Sequence, residues 1–182
     1  MAAPEFDTNQ WYHLYVTSGP GQALICRNPG KGETQTAAFF NPTNTSNPTN
    51  RWQIFQLNST TWTLRCNAGG PNVWLGTGFT DDEETAGKTR PHLARGDVAD
   101  DSAYWTFTPW GDGTWYMTNA ANGTGYHMNK KGNGLVVMSP EITAPQPGQR
   151  WSFDEIAAIN DEEYSSVSVR NLSLEKSEIC SD

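Results

Sequence analysis

The side chains that most often carry out catalysis are few in this sequence and stand far apart. The three histidines, His13, His92 and His127, share no segment, and the sequence contains no Gly-x-Ser-x-Gly, His-Glu-x-x-His or Cys-x-x-Cys motif. General acid–base and nucleophilic catalysis both need such groups within hydrogen-bond reach of one another. These residue types therefore predict a protein that is not an enzyme and that uses no cofactor.

Carboxylates are concentrated in one part of the chain. A run of four, from Asp81 to Glu84, is followed by Asp97, Asp100 and Asp101. Clustered carboxylates can hold calcium, but the sequence lacks the spaced Asp-x-Asp-x-Asp-Gly loop of the common calcium sites. No single pair stands out as the acid and base of a glycosidase. We interpret the segment as a solvated loop and predict no metal site.

Net charge and composition exclude further classes of protein. The 182 residues carry a formal net charge of −8, which argues against nucleic acid as a partner because phosphate binding needs a basic surface. Only 18% of the residues are charged, whereas there are 8 tryptophans, 17 glycines and 11 prolines. Many aromatic residues and turn formers among few charges predict short strands joined by tight turns.

Asparagine and cysteine patterns bear on the cellular compartment. Four Asn-x-Ser/Thr triplets, the candidate glycosylation sites, begin at Asn44, Asn58, Asn122 and Asn171. Four such triplets in a chain of this length favour a protein that is secreted or lies on the extracellular face of the plasma membrane. Cys26 and Cys66 lie near the ends of predicted strands, where either a disulfide or two buried thiols would fit.

An internal repeat organises the chain. Three tryptophans, each followed two residues later by an apolar residue, recur 53 and 46 residues apart at Trp52, Trp105 and Trp151. A second series of aromatic residues precedes them with spacings of 50 and 53 residues, at Tyr12, Trp62 and Trp115. Two independent series with one period indicate three similar structural units.

Each unit offers four short apolar segments separated by turn sequences such as Ser18–Gly21. In Trp105-Thr106-Phe107, aromatic and hydroxyl residues alternate with the period of two expected of a strand with one buried face. The sequence predicts an all-β, pseudo-threefold barrel whose twelve strands close on themselves and leave few exposed edges. Its predicted parts are a leader (1–9), three repeats (about 10–58, 59–110 and 111–160) and a flexible or stalk-like tail (161–182).

The end of each repeat resembles a known motif. Ricin B-type lectin domains, which are β-trefoils also classed as carbohydrate-binding modules, carry a Gln-x-Trp motif similar to Gln149-Arg150-Trp151, Asn50-Arg51-Trp52 and Ala103-Tyr104-Trp105. Only the third copy keeps the glutamine, so the repeats are degenerate. The stretch 123–164 also looks like lectin-like ectodomains of filamentous fungi. The resemblance implies a β-trefoil fold and a carbohydrate-binding domain of a fungal secreted or cell-surface protein.

The resemblance also implies where sugar would bind. The family places an Asp after the second strand, an aromatic residue near the end of the third, and an amide before the fourth-strand tryptophan. Repeat one matches best, with Asn28, Phe40 and Asn50 in these positions, while repeat three keeps Gln149 without a stacking ring. A ring stacks on the apolar face of a sugar, and short polar groups pair with its hydroxyls. The implied ligand residues are Asn28, Phe40, Asn50 and Gln149, and the implied partner is a glycan or glycoprotein.

Each of these four residues also has an ordinary structural interpretation. Phe40 would pack as a strand residue, Asn28 would form a turn with Pro29 and Gly30, and the two amides would bond to backbone where the fourth strand begins. The alternative function is a protein-binding β-trefoil, a protease inhibitor or a secreted effector, that has lost sugar binding. Its candidate contact segments are the polar loop 41–50 and the acidic loop 80–90.

Overall fold

The computed structural model describes residues 4–26, 35–37, 39–78, 90–98, 101–144 and 146–168. Four three-residue 3-10 turns occur in this part of the chain, at Pro48–Asn50, Asp101–Ala103, Pro147–Gln149 and Glu162–Tyr164. Its thirteen strands are β1 (Gln10–Val16), β2 (Gln22–Ile25), β3 (Gln35–Ala37), β4 (Phe39–Pro42), β5 (Trp52–Asn58), β6 (Thr61–Cys66), β7 (Val73–Gly78), β8 (Arg90–Arg95), β9 (Trp105–Pro109), β10 (Trp115–Asn119), β11 (His127–Lys130), β12 (Val136–Ser139) and β13 (Trp151–Ala158).

Six of the strands form a closed barrel. Going around it, β1 pairs with β5, β5 with β6, β6 with β9, β9 with β10, β10 with β13, and β13 with β1, all antiparallel. The three pairings between strands of the same repeat join Tyr12 to Trp52, Trp62 to Trp105, and Trp115 to Trp151. The two aromatic series of the sequence therefore meet three times around the barrel in the same register.

Three hairpins, one from each repeat, complete the fold: β2 with β4, β7 with β8, and β11 with β12. The described residues contain one strand more than the twelve predicted, because the segment predicted as a single strand at 37–40 is divided between β3 and β4. β3 pairs with β8 of the next repeat instead of continuing into β4. A closed six-stranded barrel with one hairpin from each of three repeats is a β-trefoil.

The three repeated tryptophans occupy equivalent places. Each is fully buried, and each indole Nε1 donates a hydrogen bond of 2.8–2.9 Å to a carbonyl of the second strand in its own repeat. The pairs are Trp52 with Leu24, Trp105 with Leu75, and Trp151 with Met128. Because a buried N–H without an acceptor is costly, this bond fixes the indole and ties each hairpin to the barrel.

An aromatic side chain from the N-terminal segment fills one end of the barrel. Phe6 lies edge-on against Tyr12, Trp62, Phe107 and Phe153, with ring centroids 5.0 to 6.3 Å apart. This edge-to-face geometry is the one that aromatic pairs prefer. The predicted leader thus contributes a partly buried residue that packs against the core.

Cys26 and Cys66 form a disulfide, the first of the two alternatives that the sequence left open. Their Cα atoms are 6.2 Å apart, and 40 residues separate them in the chain. The bond joins the end of β2 in repeat one to the end of β6 in repeat two. Closing a loop of this length is worth about 4 kcal/mol through the lost entropy of the unfolded chain.

The first residues of the predicted tail pack on the barrel. Tyr164 is 3% exposed, and its ring lies edge-on to Trp11 at 4.9 Å. The Arg65 guanidinium lies 4.9 Å from the same ring and donates to the Tyr164 carbonyl. Further along, the Val98 N–H donates to the Ser168 carbonyl at 3.0 Å. The rest of the predicted tail lies outside the described residues.

Candidate functional site

A 3-10 turn precedes the fourth strand of every repeat and positions the residue two places before its tryptophan. In repeats one and three the turn begins with proline, at Pro48 and Pro147. Proline suits this place because its fixed φ matches the turn and its missing N–H would have no partner in the first turn. The predicted ligand residues Asn50 and Gln149 therefore end equivalent turns, and both are buried, being 1% and 0% exposed.

The Gln149 side chain is bonded within repeat three. Its Oε1 accepts from His127 Nδ1 at 3.0 Å, and its Nε2 donates to the Glu141 carbonyl at 3.0 Å. Its backbone carbonyl also accepts from Trp110 Nε1 at 3.0 Å. Gln149 thus joins three parts of the repeat from the interior, and a contact between this amide and a sugar stays a prediction.

Asn50 differs from Gln149 because its donor is free of such bonds. Its Nδ2 is buried and has no hydrogen-bond partner among the described residues. Leaving a buried donor unpaired costs about 1–3 kcal/mol. Repeat one therefore holds a buried donor whose energy would improve if an acceptor reached it.

An open groove of about 590 Å³ is lined in part by Asn47, which caps the turn that ends at Asn50, whereas Asn50 itself is not in the lining. We call it the repeat-one groove, and its lining residues are Pro42, Thr43, Asn44, Thr45 and Asn47. The Oδ1 atoms of both asparagines accept from backbone N–H groups two residues further on, each at 3.0 Å, and so fix the shape of the loop. The hydroxyl and amide groups of this lining are the kinds that pair with sugar hydroxyls.

Of the other two predicted ligand residues of repeat one, the structure describes only the backbone of Phe40. Asn28 lies outside the described residues. The backbone of Phe40 belongs to β4 and pairs with Leu24 of β2, whereas its side chain lies outside the described part. Since β4 ends at Pro42, the first residue of the groove lining, Phe40 lies two residues from the repeat-one groove.

Repeat three has a groove beside its corresponding turn, with a volume of about 560 Å³. Its lining includes Asn129, Lys130 and Glu141, and none of the described residues in the lining is aromatic. Met138, which stands at the ring position of the family, is 1% exposed and offers no stacking surface. A methyl group at Gly148 would overlap the Lys130 carbonyl, so the turn lies directly against β11.

Sequence reasoning missed an aromatic cluster in repeat three. The rings of Tyr116 and His127 stack with centroids 4.1 Å apart, and Trp110 tilts against Tyr116 at 4.6 Å. Burial lowers the pKa of His127, although its bond to Gln149 opposes that shift. The three residues come from separate segments of the chain, so their contact could have been predicted only from the strand pairing.

No catalytic or metal-binding arrangement stands out in the part of the chain that the structure describes. That part holds no group of three or more His, Cys, Asp or Glu side chains placed to bind a metal ion. His13, His92 and His127 are all buried, and the acidic run 81–84 lies outside the described residues. Among the described residues, no helix has the length and apolar character needed to cross a membrane.

No protein family model matches the sequence, and no curated protein does. Solved structures match in fold. The designed threefold-symmetric protein ThreeFoil has a TM-score of 0.61 and 15% identity, over 79% of this chain and 96% of its own. A Polyporus squamosus lectin, bound to the human-type influenza-binding epitope Neu5Aca2-6Galb1-4GlcNAc, has a TM-score of 0.62 and 17% identity, over 83% of this chain and 50% of its own.

A salivary protein of the Cysteine and Tryptophan-Rich family from Culex quiquefasciatus is also similar. Its TM-score is 0.60 and its identity 16%, over 84% of this chain and 97% of its own. At such identities the likeness establishes the fold, which is that of a β-trefoil with lectins among its structural neighbours.

Proposed function

We propose that this protein is a non-catalytic, lectin-like domain that binds a glycan through repeat one. The observation that carries the proposal is the Asn50 side chain, whose buried Nδ2 has no partner among the described residues and which ends the turn beside the repeat-one groove. A sugar hydroxyl is an acceptor of the right kind for this donor.

The repeat-one groove supports a neutral glycan as the ligand. Among the described residues, its lining contains threonine hydroxyls and asparagine amides but no charged side chain. Phe40, two residues before the groove, would supply the ring that stacks on the apolar face of a pyranose. The similarity in fold to a lectin bound to a sialylated oligosaccharide supports a glycan as the ligand, whereas the neutral charge is inferred from the groove lining alone.

The other repeats are less suited to this role. In repeat two, Thr77 is 3% exposed and its hydroxyl donates to Asn119 Oδ1 at 2.8 Å, while Ala103 replaces the amide. In repeat three, Gln149 is bonded to His127 and to the Glu141 carbonyl. We therefore propose a single primary site.

A glycan array tests this proposal, with the protein produced without N-glycosylation because the candidate acceptor Asn44 lines the groove. We expect the wild-type protein to bind a neutral glycan and the variants Asn28→Ala, Phe40→Ala and Asn50→Asp to bind it at least tenfold more weakly. Asn50→Asp keeps the shape of the side chain but removes the donor. Asn72→Ala, an exposed change in repeat two, is the matched control and should bind as the wild type does.

The outcomes separate the two classes of function. Glycan binding that survives all three repeat-one variants would remove repeat one as the site. A silent array combined with inhibition of proteases in a panel would favour the protein-binding alternative instead. Melting temperatures measured for each variant show whether a lost signal reflects unfolding.

We also propose that the protein is secreted or lies on the extracellular face of the plasma membrane. The Cys26–Cys66 disulfide supports this location, because disulfides persist mainly in oxidising compartments. Two candidate glycosylation sites, Asn44 and Asn58, are exposed and thus accessible to modification. Glycosidase treatment of the native protein, followed by a mass measurement, checks this directly.

A further inference from the structure

A third groove lies where β1, β10 and β13 meet, next to the N-terminal segment. Its volume is about 770 Å³. We call it the barrel-end groove, and the lining residues used below are Glu5, Tyr15, Trp115, Ser152, Asp154 and Glu155. It lies apart from the repeat-one groove and shares no residue with it.

Trp115 departs from its equivalents in the other repeats. Tyr12 and Trp62 occupy the same place in repeats one and two and are 3% and 1% exposed, whereas Trp115 is only half-buried. Tyr15, across the groove lining, is also half-buried. An exposed part of a large aromatic ring is available for stacking or for contact with a cation.

Tyrosine hydroxyls lie near the carboxylates of this groove. Tyr12 Oη donates to Glu155 Oε1 at 3.4 Å, and Tyr15 shares the groove lining with Asp154. Burial, together with these carboxylates, raises the pKa of both tyrosines to about 12. Both phenols therefore remain protonated donors at physiological pH, and the exposed carboxylates of Asp154 and Glu155 are available as acceptors.

The charges of the lining have one sign. Glu5, Asp154 and Glu155 are carboxylates, and the part of the lining that the structure describes includes no lysine, arginine or histidine. The neighbouring Arg150 forms an ion pair with Asp112. The groove therefore repels anions and favours a cation, and its two rings add attraction for a cation or for an apolar face.

We propose that the barrel-end groove binds a ligand that carries an ammonium group beside an apolar face. The carboxylates of Asp154 and Glu155 bind the ammonium group, and the ring of Trp115 contacts the apolar face. An amino sugar has both features, and so does a lysine side chain. This proposal does not depend on glycan binding at repeat one.

Isothermal titration calorimetry at pH 6 tests the proposal with three probes. They are the glucosamine trisaccharide, its fully N-acetylated and uncharged counterpart, and Nα-acetyl-lysine methylamide. We expect an ammonium probe to bind at least tenfold more tightly than the N-acetylated trisaccharide, and its affinity to fall as salt rises. The affinities for the glucosamine trisaccharide and for the lysine derivative show which source of the ammonium group the groove prefers.

Variants of exposed residues locate the binding. We expect Asp154→Asn and Glu155→Gln each to lower the affinity for the ammonium probe at least fivefold. Trp115→Leu, which keeps apolar volume, should lower that affinity as well. Asp101→Asn is the control, because it makes the same change in net charge at an exposed position in repeat two. If neither ammonium probe binds more tightly than the N-acetylated trisaccharide, or if Asp101→Asn and Asp154→Asn lose equal affinity, the proposal is overturned.

Discussion

At the scale of single residues, the side chain two positions before the fourth-strand tryptophan has a different role in each repeat. In repeat three Gln149 is long enough to reach both His127 and the Glu141 carbonyl. In repeat one the shorter Asn50 leaves its donor without a partner among the described residues, and in repeat two Ala103 has no polar group. The same position of the repeat thus holds a residue that links neighbouring segments in repeat three, a candidate ligand contact in repeat one and a packing residue in repeat two.

The buried histidine of repeat three predicts a loss of stability in mild acid. Burial lowers the pKa of His127 in the folded protein, whereas an unperturbed histidine in the unfolded chain has a pKa of about 6.5. As the pH falls below that value the unfolded chain binds more protons than the fold does, so the free energy of unfolding decreases. Urea denaturation at pH 7.5 and 5.5 should show this decrease, and His127→Gln should reduce it.

His13 provides an internal comparison for that experiment. Burial lowers its pKa as well, with the Asp154 carboxylate opposing the shift and Arg51 adding to it. The pH dependence that remains in His127→Gln should therefore shrink further in the double variant with His13→Gln. An unchanged pH dependence in both variants would show that these histidines are not buried in their neutral form.

Gly148 predicts a position at which even a methyl group is too large. A side chain there would overlap the Lys130 carbonyl and the Asn129 side chain. Because backbone cannot move aside cheaply, Gly148→Ala should lower the free energy of unfolding by about 1–3 kcal/mol. Gly125→Ala is the matched control, since its added methyl meets no atom within 4 Å. Equal urea midpoints for the two variants would contradict the close packing of the turn on β11.

At the scale of elements, the segment 161–168 behaves as part of the domain. The Arg65 guanidinium lies 4.9–5.5 Å from the rings of Phe55, Trp74 and Tyr164, so Tyr164 forms one wall around a buried cation. Burial lowers the pKa of Arg65 to about 10, and electrostatic interactions with the Tyr164 phenol and the Asp161 carboxylate oppose that shift. Loss of the segment would expose this cation and its neighbours.

Truncation separates the docked segment from the rest of the predicted tail. Removing residues 161–182 should lower the free energy of unfolding by about 3–5 kcal/mol, the range for loss of a buried aromatic side chain. Removing only 169–182 should change it by less than about 0.5 kcal/mol, which follows from the flexible tail that the sequence predicts. Denaturant titrations of the two truncated proteins provide the measurement. Equal stabilities would mean that Tyr164 does not anchor the chain end.

At the scale of the whole molecule, the pseudo-threefold symmetry predicts equal roles for the three buried tryptophans. Replacing any one by Phe removes the indole N–H and leaves a buried carbonyl of the second strand without its donor. Each of Trp52→Phe, Trp105→Phe and Trp151→Phe should therefore cost about 1–3 kcal/mol of unfolding free energy. Urea denaturation measures these losses. A variant whose free energy of unfolding is unchanged would show that the tryptophan of its repeat is not equivalent to the other two.

The fold was predictable because its signal is periodic, whereas the details of the site depend on contacts between distant residues. Two aromatic series with one period were enough to predict three similar units, and the structure places Trp52, Trp105 and Trp151 in equivalent positions. Nothing local marks Phe6 as a residue that packs against the core or Tyr164 as a docked one, since both acquire their partners only in the closed barrel. The burial of Asn50 likewise follows from the turn packing, which residue types alone do not specify.

A crystal structure of the protein soaked with a mixture of neutral monosaccharides tests the central claim most directly. The account predicts electron density for a sugar in the repeat-one groove, with a hydroxyl within hydrogen-bond distance of Asn50 Nδ2 and the Phe40 ring against the sugar face. A repeat-one groove that stays empty while sugar binds at repeat two or three would contradict it.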